Sequence, residues 1–204
     1  MTPLTINDIV CLSTVDTLKA FASQTPNDIA LIAQTAAMVK PGGIYLEVGS
    51  RLGYSALPAL LGNFDIEVYG VDRNPACGSW VDATIDVTLD AARHTNNYRV
   101  DDWNVKDRWH FLPGLSVEVA KTWRKPIDFL FIDGYHKKEA VLEDIGAWTP
   151  FLKKGSFLGF HDYINYERND MGVHSAVDET IFNKIEWYFM GAAEDAAIYR
   201  KDRE

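Results

Sequence analysis

The 204-residue chain predicts an α/β domain: a doubly wound, mostly parallel sheet closed by an antiparallel hairpin. Three observations carry this. From Ile44 onward, short strand-like runs alternate with stretches of helical spacing, which implies right-handed crossovers and a sheet covered on both faces. The run Ile127–Ile132 is almost entirely apolar, as a strand buried on both sides should be. The last twenty residues hold two strand-like runs with only a short turn between them.

Each element has its own signal. Two helices are expected in an N-terminal extension, residues 1–43, ahead of a core spanning 44–204, the whole forming one domain. The second helix has an N-cap at Thr25, proline at N1 and an acid at N3, Asp28. Ile29, Ile32, Ala36 and Val39 recur at helical spacing until Pro41-Gly42-Gly43 stops them. Ile44–Val48 reads as the first strand. The helix after it runs through Leu60 and must begin near Ser55, because Pro58 is tolerated only in a first turn. Ile66–Val71 is the second strand, ending at Asp72. Residues 74–107 are less regular, with one helix expected at Thr84–His94. Trp109–Leu112, Ile127–Ile132 and Ser156–Phe160 are strands three to five. Val141, Ile145 and Trp148 stripe the helix between the last two, and Val173, Val177 and Ile181 stripe the next. Ile185–Met190 and Ala196–Arg200 form the hairpin, with its turn expected at Gly191.

Composition narrows the function. A net charge of −9 without a dense Lys/Arg run disfavours a nucleic-acid partner. No stretch approaches the ~20 apolar residues of a membrane span. The N-terminus lacks a basic segment followed by an apolar one, and Cys11 and Cys77 are far apart, so a cytoplasmic protein with free thiols is expected. Self-association is left open.

Open parallel sheets bind ligands beyond the carboxyl ends of their strands, so the residues following each strand matter most. These are Gly49-Ser50-Arg51-Leu52-Gly53, Asp72-Arg73, Pro113-Gly114, Asp133-Gly134-Tyr135-His136 and His161-Asp162. A glycine-bearing turn alone can be a backbone necessity. Glu47 adds weight, because a carboxylate inside an apolar strand is costly without a partner. Asp72 is placed to accept hydrogen bonds from ribose hydroxyls, its plainer role being a turn cap. Asp133, His136, His161 and Asp162 form the sharpest cluster. Asp133 could merely cap a helix and His161-Asp162 could be a polar loop. Alternatively Asp133, His161 and Asp162 hold a divalent cation, or a histidine alone acts as general base, with His136 the better base and His161 the better ligand. Asp82, Asp86 and Asp90 read as a solvated helix face, and His94, His110 and His174 as structural.

The segment Tyr45-Leu46-Glu47-Val48-Gly49-Ser50-Arg51-Leu52-Gly53-Tyr54-Ser55 resembles the first motif of class I S-adenosylmethionine-dependent methyltransferases. Ile127–His136, Trp148–Gly155, Phe160-His161-Asp162-Tyr163, Gly172-Val173 and Ala176–Glu179 are similar to the macrocin O-methyltransferase-like branch. The resemblance implies a Rossmann-like, seven-stranded sheet and O-methylation of a small-molecule hydroxyl by S-adenosyl-L-methionine. It implies a cofactor site of Glu47, Gly49, Ser50, Gly53, Ser55, Asp72, Arg73, Gly114 and Asp133, with His136 and Asp133 catalytic. Asp133, His161 and Asp162 would be the metal ligands. Two departures stand out. His161 replaces a common acid, which shifts the metal from Mg2+ toward Mn2+. Leu115 stands where an acid often meets the adenine. A nicotinamide-dependent oxidoreductase is disfavoured because Arg51 occupies the middle glycine of G-x-G-x-x-G. A degenerate, non-catalytic cofactor-binding module is the other alternative.

Overall fold

The computed structural model describes residues 4–14, 24–96, 98, 100–164 and 172–203. Met1–Pro3, part of the N-terminus read above, lie outside these. The elements run α1 (Ile6–Ser13), α2 (Pro26–Ala37), β1 (Ile44–Val48), α3 (Ala56–Gly62), β2 (Glu67–Asp72), α4 (Cys77–Asn96) and β3 (Trp109–Pro113). They continue with α5 (Ser116–Thr122), β4 (Ile127–Ile132), α6 (Lys138–Trp148), β5 (Leu152–Phe160), α7 (Val173–Val177), β6 (Trp187–Ala192) and β7 (Ala197–Lys201). The seven strands form one sheet of order β3-β2-β1-β4-β5-β7-β6. β1 to β5 pair in parallel, and β7 inserts antiparallel between β5 and β6. The expected doubly wound sheet and closing hairpin are therefore present. Among the described residues no helix is long and apolar enough to cross a membrane.

Alternation along β1 divides the core. Tyr45 joins Phe129 and Phe131 under α1 to α4, while Leu46 and Val48 join Leu130 and Ile132 under α6 and α7. Trp148 and Tyr199 are fully buried on the second face.

Two local expectations are corrected. The helix expected at Thr84–His94 begins at Cys77, seven residues earlier than its apolar spacing suggested. Asn74 opens this helix's approach, its side chain accepting from the Ala76 amide at 3.1 Å. The hairpin turn lies at Ala193–Ala196, closed by a hydrogen bond from the Ala193 amide to the Ala196 carbonyl at 2.8 Å. Gly191 instead sits inside β6 at a register shift, where its φ of +155° fits a bulge. Asp82, Asp86 and Asp90 do lie on an exposed face of α4, Asp86 pairing with Lys106 at 2.6 Å. His110 contacts Glu67 across the β2–β3 pair, and both cysteines are free.

Two buried charged residues hold the frame. The Arg108 guanidinium donates to the carbonyls of Leu60, Asn63, Ile66 and Trp103 at 2.9–3.3 Å, tying α3 to the β2 and β3 approaches. On α6, Asp144 is buried among apolar neighbours, and burial pushes its carboxyl up from 3.8 to about 6, against a hydrogen bond from Ser116.

Replacing Arg108 by Met leaves four carbonyls without their donor, and urea denaturation should show a loss of about 3 kcal/mol. Asp144 binds a proton more readily folded than unfolded. Its contribution is full below pH 3.8 and is lost as pH rises through about 6. Asp144→Asn should therefore melt above wild type at pH 8, with the gap closing toward pH 5; a pH-independent gap would contradict this.

Candidate active site

The order of strands reverses between β1 and β4, whose connections leave to opposite faces of the sheet and open a crevice at their carboxyl ends. Gly49 forms the floor of that crevice. Its φ is +88°, and a Cβ there would collide with the carbonyl oxygen of Asp133, so conformation and space both demand glycine. The next turn is drawn in by Asp72. Its Oδ2 accepts from the Arg51 amide at 3.1 Å and its Oδ1 from the Asn74 amide at 2.8 Å, joining the loops that follow β1 and β2. Beneath it, burial and the Asp72 charge push the Cys77 thiol up to about 12, so it stays protonated.

Beyond β4 and β5, two acids and two imidazoles meet. His161 Nδ1 lies 3.2 Å from Asp133 Oδ1 and 3.2 Å from Asp162 Oδ2. Burial alone would depress the imidazole, but these two carboxylates outweigh it and push it up to about 11, so the ring is a cation. In return the His161 charge overcomes the burial of Asp133 and Asp162, holding both below the usual carboxylate range. His136 Nε2 is 3.4 Å from Asp133 Oδ1, and its Nδ1 is 3.2 Å from Asp162 Oδ2. The Asp133 hydrogen bond raises its pKa despite partial burial. His136 is 30% exposed and His161 only 3%, which makes His136 the accessible imidazole of the four-residue cluster. One ligand atom from each of Asp133, His136 and Asp162 lies within 4.8 Å of the others, and so does a second set from Asp28, His161 and Asp195.

Both regions line a single cavity of about 800 Å³. The structure brings together there Gly49, Ser50, Ser55, Asp72, Arg73 and Gly114 with Asp133, His136, His161 and Asp162. Glu47 and Gly53 do not line it. The Glu47 carboxyl is buried in β1, accepts from the Tyr45 hydroxyl at 3.0 Å, and is driven well above the usual range by desolvation and by the nearby Asp133 charge. Gly53 lies against Val81 of α4. Two buried cavity-lining atoms, Ser50 Oγ and His161 Nε2, have no hydrogen-bond partner among the described residues.

Three contributors escaped the reading of strand ends. Gln24, just before the α2 cap, donates from Nε2 to Ser55 Oγ and to Asp133 Oδ2, both at 2.9 Å. It reaches the site because Asp28 does double duty: Oδ2 closes the Thr25 capping box, while Oδ1 accepts from the amides of Asp195 and Ala196 in the β6–β7 turn. Asp195 also lines the cavity. Asp144 and Ser116 line it too. A signal for Asp144 existed: an acid on the buried stripe of α6, beside Val141, Ile145 and Trp148, must find a partner.

Comparison with known proteins agrees with this architecture. A Corynebacterium glutamicum protein of known structure superposes with a TM-score of 0.70 at 14% identity, covering 100% of this chain and 93% of its own. An O-methyltransferase from Bacillus cereus, solved with SAH (S-adenosylhomocysteine), gives 0.64 at 15% identity, covering 100% and 93%. At these identities the likeness concerns the fold. An uncharacterised protein of Acanthamoeba polyphaga mimivirus is 26% identical over 124 residues, 60% of this chain; that match covers 52%, about half, of the relative's length. The family model for a methyltransferase domain matches residues 46–163, from β1 through the His161-Asp162 pair, and the chain belongs to that methyltransferase family.

Proposed function

We propose that the chain transfers a methyl group from S-adenosylmethionine to the hydroxyl of a small molecule. The observation that carries this is one cavity joining the Asp72 loops to a cluster in which an accessible imidazole stands between two carboxylates. The likeness to an O-methyltransferase supports the same reading.

The residues fit the cofactor. The Gly49 floor leaves no room for a side chain, Ser50 Oγ is buried without a partner, and about 800 Å³ is of the size that encloses a ligand this large. Asp72 keeps acceptor capacity beyond its two amide bonds, enough for ribose hydroxyls. Bound S-adenosylmethionine supplies an electrophilic methyl carbon on a sulfonium. His136 would accept the proton of a substrate hydroxyl once one ring nitrogen leaves the carboxylate it faces, and Asp133 and Asp162 would stabilise the imidazolium so formed. The buried His161 cation holds those two acids in place. The cavity walls would hold hydroxyl and cofactor together.

The donor set also fits a divalent cation. Asp133, Asp162 and an imidazole would hold it, His161 being the ligand read from the sequence and His136 the one whose atoms share a 4.8 Å cluster with both acids. Such an ion would lower the hydroxyl pKa, and a mixed oxygen–nitrogen set favours Mn2+ over Mg2+. His161 Nδ1 already spans both acids, so ion binding there must displace one of these contacts.

Calorimetric titration with S-adenosylmethionine and S-adenosylhomocysteine should show binding of both; binding of neither would sink the proposal. Asp72→Ala should weaken S-adenosylhomocysteine by tenfold or more, whereas His136→Ala should leave it within about twofold. Labelled methyl transfer to a panel of sugars and phenols should fall at least 100-fold in His136→Ala; equal loss of cofactor affinity would remove His136 from proton transfer. A heat of Mn2+ binding that vanishes in Asp162→Ala would establish the metal site.

A further inference from the structure

Asp133 faces two imidazoles with one oxygen. Its Oδ1 lies 3.2 Å from His161 Nδ1 and 3.4 Å from His136 Nε2. The torsion that turns an aspartate carboxyl group is broad and soft, so an acid held through one oxygen alone can swing or exchange its two oxygens. What holds the second oxygen therefore decides how the first is aimed. Asp133 Oδ2 accepts from Gln24 Nε2 at 2.9 Å.

The Gln24 amide can be followed group by group. An ionised Asp133 only accepts, so the nitrogen end of the amide must face it. That nitrogen carries two protons, and the second goes to Ser55 Oγ at 2.9 Å. Gln24 is 6% exposed and Ser55 2%, so both bonds lie out of water, where they are strongest. The backbone is fixed as well. Gln24 directly precedes the Thr25 cap, whose partner Asp28 is bound to the β6–β7 turn. The amide is also neutral. A lysine or arginine in its place would set a further cation against Asp133 and compete with both imidazoles for its charge. An amide turns the acid without drawing on that charge.

Resting on the methyltransferase reading, we infer that Gln24 is a positioning residue for proton transfer: it pins Asp133 Oδ2, so that Oδ1 alone meets the imidazoles and stays back from His136. The 3.4 Å contact to Asp133 is the longer of the two that hold His136, the other being 3.2 Å to Asp162. Nε2 is thus the nitrogen that more readily leaves its carboxylate for a substrate hydroxyl, provided Asp133 does not follow the ring. Gln24 holds the acid from behind and prevents this. Without Gln24, Asp133 turns onto His136, the proton-accepting nitrogen stays engaged, and transfer slows while the Asp72 side of the cavity is untouched.

The test replaces Gln24 by Met, which keeps length and burial but donates nothing, and by Asn, whose amide falls one methylene short of Asp133. In labelled methyl transfer to the panel of sugars and phenols, kcat should fall at least tenfold in both variants, with KM and S-adenosylhomocysteine affinity within about threefold of wild type. A second readout needs no substrate. In NMR of the histidine rings, the His136 and His161 signals should move in both variants, while His94 and His110 keep their wild-type positions and so report an intact fold. If kcat and cofactor affinity fall in parallel, or if the His136 and His161 signals stay in place, Gln24 is only a strut and the inference is overturned. If wild type binds S-adenosylhomocysteine but methylates nothing in the panel, the ring signals alone decide. If wild type does not bind it, the methyltransferase reading falls first and takes this assignment with it.

Discussion

Asp162 is buried and Asp133 largely so at the carboxyl ends of β4 and β5, where two desolvated negative charges side by side would drive one another to protonate. They stay ionised because the His161 ring is wedged between them, 3.2 Å from each. That cation is in turn stable only because both acids face it. The arrangement is mutual: removing one partner leaves a buried charge without compensation, the costly case for an internal ion pair. Everything the site does depends on this core. His136 can work as a base because the same two carboxylates already carry their charge, and a metal could be held only by drawing on them.

The cluster also explains why so little of the first strand's chemistry reaches the cavity directly. Glu47 sits behind Asp133 in β1 and feels its charge, which together with burial pushes its carboxyl up, while it accepts from Tyr45. Glu47 is thus part of the support beneath the floor, with Gly49 allowing β1 and the Asp133 backbone to approach closely.

The N-terminal extension participates in the site through a single residue used twice. The capping box at Thr25 and Asp28 was legible from spacing, since a threonine, a proline and an acid three positions on mark a helix start. That the free oxygen of Asp28 would also cap the β6–β7 turn, and so hold Gln24 over Asp133 and Ser55, was not legible. The two partners lie 167 residues apart in sequence, and no local pattern connects them. Asp144 shows the converse. Its place on the buried stripe of α6 announced that some partner must exist, while the identity of that partner depended on where α5 packs.

The amino-acid sequence by itself determined the strands, their order of appearance, the starts of α2 and α3 and the list of polar residues at the strand ends, because hydrophobic period and turn chemistry act over a few residues. It also placed Asp72, Asp133, His136, His161 and Asp162 on one rim, since parallel strands necessarily end on one side of a sheet. Only the tertiary structure decided which of these touch, which ring lies buried as a cation and which stays accessible. It also decided that Glu47 and Gly53 stand behind the cavity wall. Those outcomes follow from burial and from charges brought within a few ångströms by separate crossovers, and desolvation and Coulomb energy are set by that proximity alone.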